Sequence, residues 1–94
     1  MSEPFNPNLA VITTKRVMHC QANVCRVIHD DEGEWIFFDD GELNVESSAI
    51  ISLQEIIDID PSLQSIILSL PQNKQAFRLN KNCQWEIYDF TYEE

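Results

Sequence analysis

Two short helical patterns, separated by a proline, lie in the middle of the chain and limit what it can fold into. The Ser-Leu-Gln-Glu sequence at 52–55 has the form of a capping box. In this motif the side chains of Ser52 and Glu55 each accept a hydrogen bond from the other residue's backbone amide. A helix therefore begins there, and Pro61 ends it near residue 59, because the residue before a proline avoids helical geometry. A second helix is predicted to begin directly after this, because Asp60 is a favoured N-cap residue and Pro61 is tolerated at the first helical position.

Strand-like runs lie on both sides of this helical pair. Before it, an apolar run is followed by two more runs joined across an acidic turn that contains glycine, which is typical of a hairpin. After it, two runs joined by Asn-Lys-Asn predict a second hairpin, and the polar residues 42–48 predict a connection. The predicted strands cover residues 9–14, 24–29, 34–39, 75–79 and 83–90. This order predicts an α+β domain with a mostly antiparallel sheet of about five strands and the two helices packed on one face.

The apolar content is sufficient for one hydrophobic core. The chain has 94 residues, of which 44% are hydrophobic, and this suits a single compact domain rather than a disordered chain. Trp35 and Phe37 alternate with Ile36 and Phe38, so both faces of their strand should be partly covered, which places it centrally or under a helix. We expect five side chains in the core: Trp35, Phe37, Ile57, Ile67 and Trp85.

The first residues differ in character from the rest. Residues 1–8 contain two prolines and show no periodicity, and they predict a flexible leader that precedes one domain over 9–94. They lack the basic and apolar parts of a secretion signal, and no apolar run approaches the roughly 18 residues of a membrane span. We therefore expect a cytoplasmic protein with no membrane contact and with three reduced cysteines, Cys20, Cys25 and Cys83.

Negative charge is concentrated in the middle of the chain. There are 16 Asp and Glu residues against 6 Lys and Arg, for a net charge of −10, and no Lys or Arg lies between Arg26 and Lys74. So negative a chain repels phosphate backbones, which disfavours direct nucleic-acid binding. Exposed carboxylates instead favour a basic protein partner, although they also simply keep a small domain soluble. The predicted partner-binding surface consists of Asp30, Asp31, Glu32, Glu34, Asp39, Asp40, Glu42 and Glu46.

The sequence contains one group of residues that resembles a zinc site. His19, Cys20, Cys25 and His29 lie within eleven residues, but His19 and Cys20 are adjacent and would point to opposite sides of an extended chain. A buried thiol with ordinary polar histidines is the alternative interpretation. The acidic tract at 39–42 lacks the ligand spacing of an EF-hand loop. We expect no metal site.

Sequence motifs for catalysis are absent. There is no G-x-S-x-G motif, and two glycines do not make a phosphate-binding loop. Carboxylates in an exposed run also have no apolar pocket that would separate their pKa values for acid and base catalysis. The sequence therefore predicts no enzymatic activity and no cofactor.

Several segments together carry a family resemblance: Ala10-Val-Ile-Thr13, Trp35-Ile-Phe-Phe-Asp-Asp-Gly41, Ser52-Leu-Gln-Glu-Ile-Ile-Asp-Ile-Asp-Pro-Ser-Leu63, Leu70-Pro71, Ala76-Phe-Arg78 and Trp85. In this order they resemble a small bacterial family of uncharacterised domains described as immunity-protein-like and associated with polymorphic toxin systems. The resemblance covers about residues 9 to 88, and its motifs are structural. It implies a protein that neutralises a toxin by covering its active site or an essential surface, and many such toxins are basic. It supplies no catalytic residues.

We therefore expect a non-enzymatic, acidic protein-binding domain of the immunity type. Its acidic turns lie at the two ends of the third strand, about 17 Å apart, and one basic partner can span that distance. One alternative is a structural or assembly domain that forms a homodimer through a sheet edge or through Tyr88, Phe90 and Tyr92. A second is a metal-dependent enzyme that uses the histidines or carboxylates.

Overall fold

The structure, a computed structural model, describes residues 6–39, 41 and 46–90. The elements of this part are, in chain order, β1 (Ala10–Thr14), α1 (Lys15–Met18), β2 (Arg26–His29), β3 (Trp35–Phe38), β4 (Ser48–Ser52), α2 (Leu53–Ile59), α3 (Leu63–Ser69), β5 (Lys74–Phe77) and β6 (Glu86–Asp89). The strands form one sheet in the order β4-β1-β3-β2-β5-β6. All neighbours pair antiparallel except β1 and β3, which are parallel. The α+β class and both hairpins are confirmed, with six strands in the described residues where the sequence predicts about five.

The additional strand is β4, which the sequence prediction misses. It pairs with β1 along its whole length, with Val11 opposite Ile51. Its apolar part is a run of three residues between serines, too short to stand out beside the polar connection predicted for 42–48. Ser48 belongs to the strand rather than to that connection, and residues 42–45 lie outside the described part. The strand ends at Ser52, which is also the N-cap of α2.

The capping box at the start of α2 is confirmed. The Ser52 hydroxyl accepts a hydrogen bond from the Glu55 amide at 3.1 Å, and the Ser52 amide donates to the Glu55 carboxylate at 2.9 Å. Residues 6–8 of the predicted leader run beside this first turn, where the Pro7 carbonyl accepts from the Gln54 amide at 3.1 Å. The helix start thus has partners for its unpaired amides, as a helix N-terminus requires.

The helices cover one face of the sheet. Side chains alternate between faces along each strand, and those that face the helices are Val11, Val27, Trp35, Phe37, Ile51 and Ala76. They form one hydrophobic cluster with the buried side chains of the helices, which include Val17, Leu53, Ile56, Ile57, Leu63, Ile66 and Ile67. Four of the five predicted core residues belong to this cluster. The exception is Trp85, which is only partly buried and packs against its surface.

The joint between α2 and α3 differs from the predicted N-cap. Ser62, not Asp60, is the residue that precedes α3, and its own side chain makes no capping bond. Asp60 nevertheless accepts from the amide and hydroxyl of Ser62, at 3.1 and 2.6 Å. Its other carboxylate oxygen is taken by Arg78 at 2.8 Å. The Asp60 carboxylate therefore stabilises the turn that precedes α3 and does not cap the helix directly, because it also pairs with the buried guanidinium of Arg78.

Arg78 is a buried arginine whose hydrogen bonds connect the sheet to the helix layer. Only 3% of its surface is exposed. Besides Asp60, its guanidinium donates to the Val24 carbonyl at 3.0 Å and to the Ser62 hydroxyl at 3.3 Å. It also lies 4.3 Å from the centre of the Trp85 ring. A buried charge is tolerated only when it is paired and hydrogen-bonded in this way.

Removing one partner of the Asp60–Arg78 pair should destabilise the fold strongly. Arg78→Met keeps an apolar stem but leaves the Asp60 carboxylate without its cation, and changes of this kind cost about 3–5 kcal/mol. The control is Lys74→Met, because the Lys74 side chain is 39% exposed and that of its partner Asp89 is 85% exposed. That change should cost less than about 1 kcal/mol. Urea unfolding followed by tryptophan fluorescence measures both, and equal losses would contradict the assignment.

The same pair should make the domain sensitive to acid. Burial by itself raises the pKa of Asp60, but hydrogen bonds from Ser62 and Arg78 and the charge of Arg78 bring that pKa below its ordinary value of 3.8. The contribution to stability is therefore complete above the unfolded-state pKa and is lost as the pH falls through the lower folded-state value. We expect the free energy of unfolding to decline below about pH 4, and to decline less steeply in Asp60→Asn. Identical acid profiles in the variant and the parent would refute this.

Candidate functional site

The face of the sheet that points away from the helices is largely apolar. The strand registers place Ile50, Ile12, Ile36 and Ile28 side by side on β4, β1, β3 and β2. None of these four isoleucines belongs to the hydrophobic cluster shared with the helices. They form a separate apolar row, in which Ile28 is 6% exposed and Ile50, on the edge strand, is 72% exposed.

This row continues across the remaining strands. Gln75 on β5 and Tyr88 on β6 follow Ile28 in register, and half of the Tyr88 surface is exposed. A second row contains Phe38, Arg26 and Phe77 on β3, β2 and β5. We call this side of the sheet the open face and define it by Ile12, Arg26, Ile28, Ile36, Phe38, Ile50, Gln75, Phe77, Glu86 and Tyr88.

Carboxylates lie at the margins of the open face. Glu34, just before β3, lines a shallow cavity of about 150 Å³ together with Ile12 and Ile50. Glu86, on the edge strand β6, accepts a hydrogen bond from the Tyr88 hydroxyl. That bond and the charge of Glu86 raise the pKa of Tyr88. Negative charge therefore borders the apolar surface at Glu34 and at Glu86.

Four of the eight predicted recognition residues are exposed in the structure. Asp31, Glu32 and Glu34 lie in the turn between β2 and β3, and Glu46 lies before β4. The Ser47 carbonyl accepts a hydrogen bond from the Lys15 amide, so Glu46 lies at the C-terminal end of β1. That end is opposite the turn, as the sequence predicts. The remaining pair, Asp40 and Glu42, lies outside the described residues.

Asp30 is not displayed outward, and its predicted exposure is wrong. It is 1% exposed, and one of its carboxylate oxygens accepts from the amides of Glu32 and Glu34 at 2.9 and 2.8 Å. Gly33 completes the turn with a φ of +83°, in the region that favours glycine. An aspartate whose side chain accepts from the amide two residues ahead is a known turn signal. The sequence therefore contained a sign of this structural role.

Asp39 is also buried, at 5% exposure, which corrects the prediction for a second residue. Its carboxylate accepts from the Gly41 amide at 2.7 Å and from the Thr14 hydroxyl at 3.0 Å, with the Arg16 Nε atom 3.7 Å away. Asp39 thereby ties the end of β3 to the end of β1. Both aspartates shape the backbone instead of meeting a partner.

The four residues that resemble a zinc site in the sequence have different surroundings in the structure. The Cys25 thiol is buried and lies 3.8 Å from the Leu79 carbonyl. The His29 ring stacks on Trp35 with 3.8 Å between centroids, and its Nδ1 atom is 2.8 Å from the Leu70 carbonyl. His19 and Cys20 are exposed. Within the described part of the chain, no three His, Cys, Asp or Glu side chains form a group that could hold a metal ion.

Comparison with known proteins finds no relative. No family model, no curated protein and no solved structure matches the chain. Of the helices in the described residues, none has both the length and the apolar character needed to cross a membrane.

The structural role of Asp30 can be separated from recognition by mutation. Asp30→Ala removes the acceptor of two backbone amides and should destabilise the domain by about 1–3 kcal/mol. Asp31→Ala changes the neighbouring exposed carboxylate and should stay within about 0.5 kcal/mol of the parent. Asp30→Asn, which keeps one acceptor oxygen, should fall between them. Thermal and urea unfolding measure all three, and an unchanged stability in Asp30→Ala would contradict the structural role.

Proposed function

We propose that this chain is a non-enzymatic protein-binding domain that acts in the cytoplasm and receives a basic protein on the open face of its sheet. The observation that carries the proposal is the row of three accessible or partly accessible isoleucines, Ile50, Ile12 and Ile36, that lies outside the core beneath the helices. Contiguous apolar surface with a polar rim is typical of interaction sites on folded proteins.

The margins of the open face are part of the proposed interface. Six strands about 4.8 Å apart and about four residues long span roughly 300 Å² in projection. A stable complex buries about 800 Å² on each partner. A partner of normal affinity therefore extends beyond the apolar rows onto the surrounding carboxylates. The carboxylates concerned are those of Glu34 and Glu86, at the margins of the open face, and those of the exposed Asp31 and Glu32, which precede Glu34 in the turn.

A basic partner complements these margins. The chain carries a net charge of −10, and the turn between β2 and β3 exposes the carboxylates of Asp31, Glu32 and Glu34. An acidic surface raises the association rate with a positively charged protein and suppresses wrong partners. The apolar rows contribute the burial that keeps the complex together once it has formed.

The resemblance to immunity-protein-like domains makes the proposal more specific. It implies that the partner is a bacterial toxin whose active site or essential surface is covered in the complex. Toxins that act on nucleic acid are commonly basic, which agrees with the charge argument above.

The immunity role is tested with the product of a neighbouring gene that stops growth when it is expressed alone. Co-expression of this chain should restore growth, and the two purified proteins should associate at a rate that falls as the salt concentration rises. In a variant with Asp31→Asn, Glu32→Gln and Glu34→Gln, association at low salt should slow while dissociation stays nearly unchanged. Growth arrest that persists under co-expression would contradict the immunity role.

A matched pair of leucine and isoleucine variants tests the open face itself. Ile50→Ser shortens an exposed side chain on the open face and should raise the dissociation constant by about tenfold. Leu68→Ser changes a side chain on α3 that is 50% exposed on the helix side and should leave affinity unchanged. If Leu68→Ser weakens binding and Ile50→Ser does not, the partner docks on the helices and the proposed surface is wrong.

A second candidate function is assembly as a homodimer. It is favoured by the edge strand β4, which pairs with β1 on one side and carries the exposed Ile50. Sedimentation velocity over a range of concentrations distinguishes the two functions, and we expect a monomer throughout. A dimer that persists at high salt and is lost in Ile50→Ser would favour assembly instead.

A further inference from the structure

A cavity of about 290 Å³ opens at one end of the open face. Among the described residues, those that line it are Arg26, Phe38, Asp39, Gly41, Phe77 and Leu79. Arg26 is opposite Phe38 on one neighbouring strand and opposite Phe77 on the other. The arginine is therefore flanked by an aromatic residue on each side, and the exposed Leu79 extends the apolar wall.

The charge of Arg26 is available at the surface. Three other cations of the chain have carboxylate partners, since Arg78 pairs with Asp60, Lys74 with Asp89, and Arg16 approaches Asp39. Arg26 forms no ion pair in the described part of the chain, and its guanidinium lies 5.9 Å from the centre of the Phe38 ring. A contact with an aromatic face orients a guanidinium but leaves its N–H donors free.

Asp39 contributes a carboxylate to the wall without neutralising this arginine. Its two oxygens accept from the Gly41 amide and the Thr14 hydroxyl, and its nearest cation is Arg16 at 3.7 Å. With 5% of the residue exposed, it presents little charge to the cavity. Among the described residues that line the cavity, the exposed charge is that of Arg26, and the carboxylate of Glu86 lies beyond Phe77 in the same row.

We propose that this cavity binds a carboxylate attached to an aromatic or branched apolar group. Arg26 anchors the carboxylate, for which the planar guanidinium provides two parallel donors. Phe38, Phe77 and Leu79 contact the apolar part. The volume is at the lower end of the range for ligand sites, so the bound group is about the size of one phenyl ring with a short acid chain. A bare phosphate would leave the apolar wall uncovered.

The proposal is tested on the isolated domain by NMR titration of ¹⁵N-labelled protein with phenylacetate. Saturable shifts should appear at the amides of Arg26, Phe38 and Phe77. Phenylacetamide, which has the same shape without the charge, should bind about tenfold more weakly or worse, the magnitude expected for hydrogen bonds to a charged group. No binding partner is present in this titration, so its outcome is independent of the protein-binding function proposed above.

Two charge-matched variants assign the effect to the cavity. Arg26→Gln should weaken phenylacetate binding by about tenfold, while Lys15→Gln, which removes an exposed cation from α1, should leave it unchanged. Both positions are exposed, so both variants should fold, and their thermal unfolding confirms it. Equal affinities of the two variants would overturn the proposal, because the attraction would then come from overall charge.

A further experiment determines whether the bound carboxylate belongs to a peptide C-terminus or to a small free acid. A short peptide that ends in phenylalanine with a free C-terminus is compared with the same peptide amidated at that end. Tighter binding of the free-ended peptide than of phenylacetate assigns the site to a chain terminus, and equal binding assigns it to a small free acid. No saturable binding of phenylacetate at millimolar concentration, or equal competition by inorganic phosphate, would refute the site.

Discussion

The buried guanidinium of Arg78 connects the two layers of this small domain. It directly follows β5, reaches the Val24 carbonyl ahead of β2, and bonds Asp60 and Ser62 between the two helices. Transferring such a charge out of water costs several kcal/mol, so the arrangement is stable only with every partner in place. All buried side-chain nitrogen and oxygen atoms of the described residues do have a hydrogen-bond partner. This side chain therefore helps to hold α3 over the sheet, together with the buried Leu63, Ile66 and Ile67.

The carboxylates of the acidic middle segment divide into two groups with different roles. Asp30, Asp39 and Asp60 are turned inward and accept bonds from amides, hydroxyls or a guanidinium. Asp30 shapes the turn between β2 and β3, and that turn exposes Asp31 and Glu32. Because the buried Asp30 carboxylate holds this turn, the exposed carboxylates of Asp31 and Glu32 project from a defined position. Structural and surface acids thus alternate within a few residues of one another.

Local signals in the sequence were sufficient for α2, α3 and the described strands other than β4, but not for the arrangement of these elements. The capping box at Ser52 and the turn at Gly33 depend on residues within a few positions, and both are where the sequence places them. The parallel pairing of β1 with β3 and the partner of Arg78, eighteen residues away, depend on contacts that no local pattern encodes. The inward orientation of Asp39 has the same cause, since its partner Thr14 lies on another strand. Charge counts alone could not separate buried from exposed carboxylates.

The open face carries the carboxylate of Glu34 at one end and, at the other, the guanidinium of Arg26 with Glu86 two strands away in the same row. Glu34 precedes β3, whereas Arg26 is opposite Phe38 at the other end of that strand, about 13 Å away at the usual rise per residue. This separation exceeds the Debye length of about 8 Å in physiological salt, so a docked molecule senses the two ends as distinct sites. A partner with a basic group and a carboxylate at that spacing fits in one orientation only, because the reversed one brings like charges together. The isoleucines between the two ends have no directional preference of their own. In the complex that we propose, these two charged groups would set the orientation of the partner, and the apolar surface between them would supply the affinity.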